Sequence, residues 1–99
     1  MRIELLGFPA CPNTPAMRAN LRAALSPREL AVLDEINQEA LPASDPRRGW
    51  PTPTILVEGR DLFGMPAPRT PAMGCRIYPG GVPSTAKIRA ALDAADGTQ

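Results

Sequence analysis

The chain has 99 residues, 11 of them basic and 10 acidic, for a net charge of +1; it can hold one small core and carries no electrostatic footprint for nucleic acid or an anionic membrane. It has no histidine, which removes the usual general base and the commonest metal ligand, so chemistry falls to cysteine, carboxylate, hydroxyl or backbone groups. No apolar run approaches the roughly 18 residues of a membrane span, and the opening MRIELLGF lacks the marks of a secretory leader; a single cytoplasmic domain over residues 1–99 is expected.

In chain order, RIELLG alternates Ile3 and Leu5 with Leu6 adding to the run, which predicts a buried strand. The sequence then reads FPACPNTP: Asn13-Thr14-Pro15 has the polar cap and early proline of a helix start. Met17, Leu21, Ala24 and Leu25 follow on one helical face, and Ser26-Pro27 ends it. Cys11 therefore falls where a strand gives way to a helix.

The next stretch, SPRELAVLDEINQEAL, supports two patterns. Ser26 and Glu29 have capping-box spacing, and Leu30, Leu33, Ala40 and Leu41 roughly fit a helix. Leu30, Val32, Asp34 and Ile36 also fit a strand, and a strand around 31–37 is the preferred expectation. Ser44-Asp45-Pro46 opens like a helix that Gly49 cuts short. Eight of the 13 prolines lie from Pro42 to Pro79, so the middle of the chain is expected to be loops and extended segments.

Within that middle, Thr54–Val57 predicts a short buried strand, Glu58-Gly59-Arg60 a turn, and Asp61-Leu62-Phe63 the returning strand of a hairpin. Met65 to Gly74 is a proline-rich loop leading into Cys75. Ser84 then caps a last helix with Ile88, Ala91, Leu92 and Ala95 on one face and Gly97 beyond its end. The resulting order predicts an α/β domain, a mixed four-stranded sheet flanked by helices.

This order, with Cys11-Pro12-Asn13-Thr14 at the first strand-to-helix turn and Thr52-Pro53-Thr54 before the third strand, resembles the thioredoxin fold over nearly the whole chain. The stretch TPTILVEGRDLFG is similar to the corresponding stretch of glutaredoxins. The resemblance implies an active cysteine at Cys11 and a substrate-binding cis-proline at Pro53, with Pro12, Thr52 and Thr54 beside the substrate. Independently, a thiol at a helix N-terminus faces unpaired N–H groups and the positive end of the dipole, which lowers its pKa. Thr14, three residues on, can aim its hydroxyl at the sulfur.

Thr14 stands where a dithiol oxidoreductase of this superfamily has its second cysteine. The remaining Cys-x-x-Thr pattern resembles monothiol glutaredoxin-like proteins, which implies thiol–disulfide exchange with thiol or disulfide substrates, glutathione as the co-substrate, and no bound cofactor. Cys75, in the region where such chains carry a Gly-Gly, is either a resolving thiol or a structural one. The wide Cys11–Cys75 spacing also resembles organomercurial (alkylmercury) lyases, although Thr14 replaces their acidic residue. That likeness implies soft-metal or organomercurial binding by two sulfurs, which alone cannot close a tetrahedral site. A third alternative is an interaction module whose Cys11 is simply buried. Trp50 either lines a substrate groove or, as the default, sits in the core or at its rim; Arg47, Arg48, Arg60, Arg69 and Arg76 either include a binder of a glutathione carboxylate or, for most of them, are solvated charges.

Overall fold

β1 (Ile3–Gly7) is buried at every position, as befits an interior strand with both faces covered. In the computed structural model, which describes residues 1–71 and 74–97, β1 runs parallel to β2 (Leu33–Asn37) and antiparallel to β3 (Thr54–Val57). β4 (Arg60–Asp61) adds to β3, giving a mixed sheet in the order β2-β1-β3-β4.

Alternation along the strands splits the core in two. Ile3, Leu5, Ile55 and Val57 meet Met17 and Leu21 from α1 (Thr14–Ala24) and Ile88 and Leu92 from α3 (Thr85–Gly97). The α1 positions expected on one face are the ones buried there, with Leu25 just past the helix end. Ser84 Oγ accepts the Lys87 N–H at 3.2 Å and caps α3. Gly97, expected beyond that helix, is instead its last residue.

Leu6, Leu56 and Trp50, with Ile36 against them, form the second cluster on the opposite face. No helix covers it. Its lid is the irregular segment with 3₁₀ turns at Gln38–Ala40 and Pro46–Gly49. The buried Gln38 amide donates to Arg47 O and Trp50 O, both at 2.9 Å. Arg47 bridges Asp45 and the buried Glu4 of β1. Arg48 donates to the carbonyls of Glu39 and Leu41. The helix-flanked expectation thus holds for one face, and Arg47 and Arg48 clasp the lid rather than float in solvent.

The ambiguous stretch takes both of its patterns in succession. The Ser26–Glu29 capping box forms and opens α2 (Pro27–Val32). That helix buries no residue, so nothing extends it beyond the point where Leu33 gains a partner in Ile3. The hairpin return is shorter than expected. The Asp61 carboxylate accepts the N–H groups of Phe63 and Met65, each at 3.0 Å, and curls the chain out of the sheet after Asp61.

Leu21→Ala should destabilise the domain by about 2–5 kcal/mol, the usual result of emptying a closed apolar site. Val32→Ala, on the half-exposed end of α2, should change stability by less than about 0.5 kcal/mol. Urea denaturation of the two variants checks the contrast.

Candidate functional site

Two tight turns bring the first cysteine under the start of α1. The Cys11 N–H donates to Phe8 O at 3.1 Å, and the Thr14 N–H donates to Cys11 O at 3.3 Å. Asn13 is the N-cap residue but makes no side-chain cap bond, so the first N–H groups of the helix are not consumed by it. Pro12 is exposed beside the sulfur, whereas Cys11 itself is only 1% exposed.

Gly7 allows Thr14 into the site. A Cβ on Gly7 would lie 2.7 Å from Thr14 Cγ2 and 3.1 Å from its Oγ1, closer than packed atoms tolerate. The missing side chain lets the helix start dock on the end of β1. Thr14 is 8% exposed, and its hydroxyl has no hydrogen-bond partner. An orphaned buried hydroxyl is unusual; here it lies against the Cys11 sulfur and favours the thiolate.

Cys75 arrives from the far end of the chain. Its segment is zipped to the turn before β3: the Thr52 N–H donates to Gly74 O at 2.8 Å, and the Arg76 N–H donates to Thr52 O at 2.6 Å. The Arg76 guanidinium forks onto Asp61, at 2.6 and 3.1 Å, and donates to Thr54 Oγ1 at 3.2 Å. It lies over the Tyr78 ring, 4.3 Å from the centroid, and the Tyr78 hydroxyl donates to Pro53 O at 2.6 Å. Arg76 is therefore a half-buried structural cation, not the solvated charge expected. Burial pushes the Tyr78 hydroxyl up to about 12, so it stays a donor to that carbonyl.

The consequence is a contact between the two sulfurs. Cys75 Sγ lies 3.3 Å from Cys11 Sγ, and Cys11 Sγ lies 3.7 Å from Thr52 O. Both thiols are free, and a disulfide needs its sulfurs about 2.05 Å apart, so a small approach closes one. The surroundings set the two apart. Burial acts to raise the Cys11 pKa, but the Cys75 thiol, the Asn13 and Thr14 N–H groups and the Thr14 hydroxyl outweigh it and hold it below the ordinary value. Donating to Cys11, together with burial, pushes the exposed Cys75 up.

Thr52, Pro53 and Thr54 were expected to meet substrate. The Thr52–Pro53 peptide is cis, but all three residues are buried and their groups are engaged by the Cys75 segment. They hold the second sulfur rather than an open backbone edge. Thr52 Oγ1 donates to Leu6 O at 3.2 Å, and Thr54 Oγ1 to Pro51 O at 2.6 Å. Trp50 belongs to the core.

The open approach to Cys11 lies on its other side. A groove of about 330 Å³ runs past the ends of β1 and β2 to the first turn of α1, and both Cys11 and Thr14 line it. Among the described residues no cluster of three or more His, Cys, Asp or Glu side chains stands ready for a metal ion. No helix among the described residues is long and apolar enough to cross a membrane.

Sequence patterns missed Asp61, Arg76 and Gly7. Asp61 carried an available signal, an aspartate placed to bond the N–H two residues on; the other two depend on contacts far along the chain. Compared with known proteins, the chain matches no family model, no curated protein and no solved structure.

Asp61→Asn leaves the half-buried Arg76 charge without its counterion and should cost about 1–3 kcal/mol. The same change should speed alkylation of Cys11 as the segment above it loosens. Against pH, the Cys11 alkylation rate should rise below the ordinary thiol range and that of Cys75 above it. Gly7→Ala should move the Cys11 profile up, and peptide mass spectrometry reads both sulfurs.

Proposed function

We infer that the chain is a thiol–disulfide redox protein that cycles between a Cys11/Cys75 dithiol and an intramolecular disulfide. The 3.3 Å separation of the two sulfurs carries this inference. Their opposed pKa shifts support it, because exchange is fastest when the leaving sulfur is the better-stabilised thiolate.

The chemistry follows from exposure. In the disulfide state an external thiolate attacks the exposed Cys75 sulfur, the S–S bond breaks, and Cys11 leaves as a thiolate. That thiolate is received by the Asn13 and Thr14 N–H groups and the Thr14 hydroxyl. A second external thiolate then attacks the external sulfur of the mixed disulfide and frees Cys75. Two external thiols have become one disulfide and the centre has gained two electrons; of the two protons released, one goes to Cys75 and the other to solvent while Cys11 stays a thiolate. Run backwards, the same steps reduce a disulfide, with Cys11 as the nucleophile that resolves the Cys75 adduct.

A small thiol such as glutathione suits this scheme, and a reducing cytoplasmic setting would keep the centre in its dithiol form. Strand order, the helix after β1 and the turn before β3 support a thioredoxin-like arrangement. Cys75 then takes the place of the second cysteine that Thr14 displaces from a Cys-x-x-Cys motif.

Equilibration in glutathione redox buffers followed by intact-mass measurement tests this. The native chain should lose two hydrogens in one step and carry no adduct. Cys11→Ser should accumulate one glutathione on Cys75, while Cys75→Ser should take up glutathione on the buried Cys11 at least about tenfold more slowly. Stable glutathione adducts on the native chain without the internal disulfide would overturn the inference.

A further inference from the structure

The proposed centre needs an oxidant, and the groove on the far side of Cys11 says which kind reaches the sulfur. Cys75 covers Cys11 from one side, at 3.3 Å, and Cys11 is 1% exposed. A protein disulfide therefore cannot be laid against the Cys11 sulfur in this conformation. The groove remains open on the other side, about 330 Å³ in volume. Its walls include Phe8 and Ile36. The single cation lining it, Arg18, is paired with Glu35 on the same rim, and Glu35 is held from a second direction by Arg22. Among the described lining residues no unpaired cation is left for the carboxylates of a glutathione disulfide. A small, uncharged oxidant with an apolar substituent matches size, charge and lining together.

Thr14 adds the second feature. Its hydroxyl is buried, bonds to no oxygen or nitrogen of the fold, and lines this same groove beside the Cys11 sulfur. A donor held beside the sulfur and otherwise uncommitted can turn to an oxygen that reacts there, which a reaction that develops charge on oxygen uses.

Resting on the redox reading above, we propose that Cys11 is oxidised through this groove by small uncharged hydroperoxides, with Thr14 positioning the reacting atoms and Cys75 closing the disulfide. The Cys11 thiolate attacks the nearer peroxide oxygen; the S–O bond forms as the O–O bond breaks. The departing alkoxide takes a proton from solvent and leaves as an alcohol. Sulfur has lost two electrons, the peroxide has gained them, and Cys11 is a sulfenic acid. The Cys75 sulfur, releasing its proton, then attacks the Cys11 sulfur. The S–S bond forms, and hydroxide leaves with that proton as water. External thiols, oxidised to their own disulfide, reset the pair at the exposed Cys75.

The test is stopped-flow oxidation of the reduced native chain at neutral pH by hydrogen peroxide, cumene hydroperoxide and glutathione disulfide, with dimedone trapping in Cys75→Ser. Internal disulfide should form with both hydroperoxides at least about tenfold faster than free cysteine reacts, and faster than with glutathione disulfide. In Cys75→Ser, dimedone should label Cys11. Thr14→Val should slow the hydroperoxide reaction about tenfold or more, and Thr14→Ser should restore it, with both variants folding to the same circular dichroism spectrum. Hydroperoxide rates no better than free cysteine, alongside a disulfide formed readily by glutathione disulfide, would overturn this proposal and leave the redox centre intact. Failure of every oxidant to form the internal disulfide would overturn both.

Discussion

The buried ion pair between Asp61 and Arg76 determines where the second sulfur can be. Asp61 ends β4 with a side chain shut off from solvent, and a carboxylate in that position must be matched by a cation and by hydrogen bonds. It has both: the forked guanidinium of Arg76 and the N–H groups of Phe63 and Met65. Arg76 follows Cys75 directly, so fixing the guanidinium fixes the thiol within one residue's reach. The backbone bonds between residues 52 and 74–76 then set its height above Cys11. Without the pair, only the backbone bonds at residue 52 and the Tyr78–Pro53 bond would hold the segment.

What the pair creates is an asymmetry between chemically identical groups. Cys11 is enclosed and surrounded by donors; Cys75 is exposed and acts as one of those donors. Burial alone would make Cys11 an inert core thiol. The Cys75 thiol and the start of α1 reverse that outcome, because that thiol, the Asn13 and Thr14 N–H groups and the Thr14 hydroxyl stabilise the anion more than burial opposes it. Gly7 is the silent member of the arrangement: it contributes no atom to the chemistry, only the space in which Thr14 stands. Reactivity at Cys11 and access to it are thus controlled by different parts of the fold, the helix start for one and the Cys75 segment with the groove for the other.

How much of this was legible in the sequence depends on the range of each interaction. β1, β3 and the buried face of α1 follow from local period, and the Ser26–Glu29 capping box from four consecutive residues. The mixed pattern of 26–41 resisted a single answer because it encodes a short helix and a strand, and only pairing of Leu33 with Ile3 decides where one becomes the other. Placement of Cys11 at a strand-to-helix turn was equally readable. The Cys11–Cys75 contact was not, since it depends on Arg76 finding Asp61 and on Tyr78 finding Pro53, none of them near in sequence. The same long-range bonds explain why Thr52, Pro53 and Thr54, read as substrate contacts, are occupied from within the chain.

The central claim is that the two cysteines form one redox centre, and it is tested most directly by following both cysteine Cβ carbons in a selectively ¹³C-labelled chain by NMR across a series of redox buffers. The expected result is that both resonances move from thiol to disulfide positions together, with one shared midpoint and no change in the rest of the fold. Separate midpoints, or oxidation of Cys75 while the Cys11 resonance stays put, would contradict it and leave Cys11 as a packed thiol.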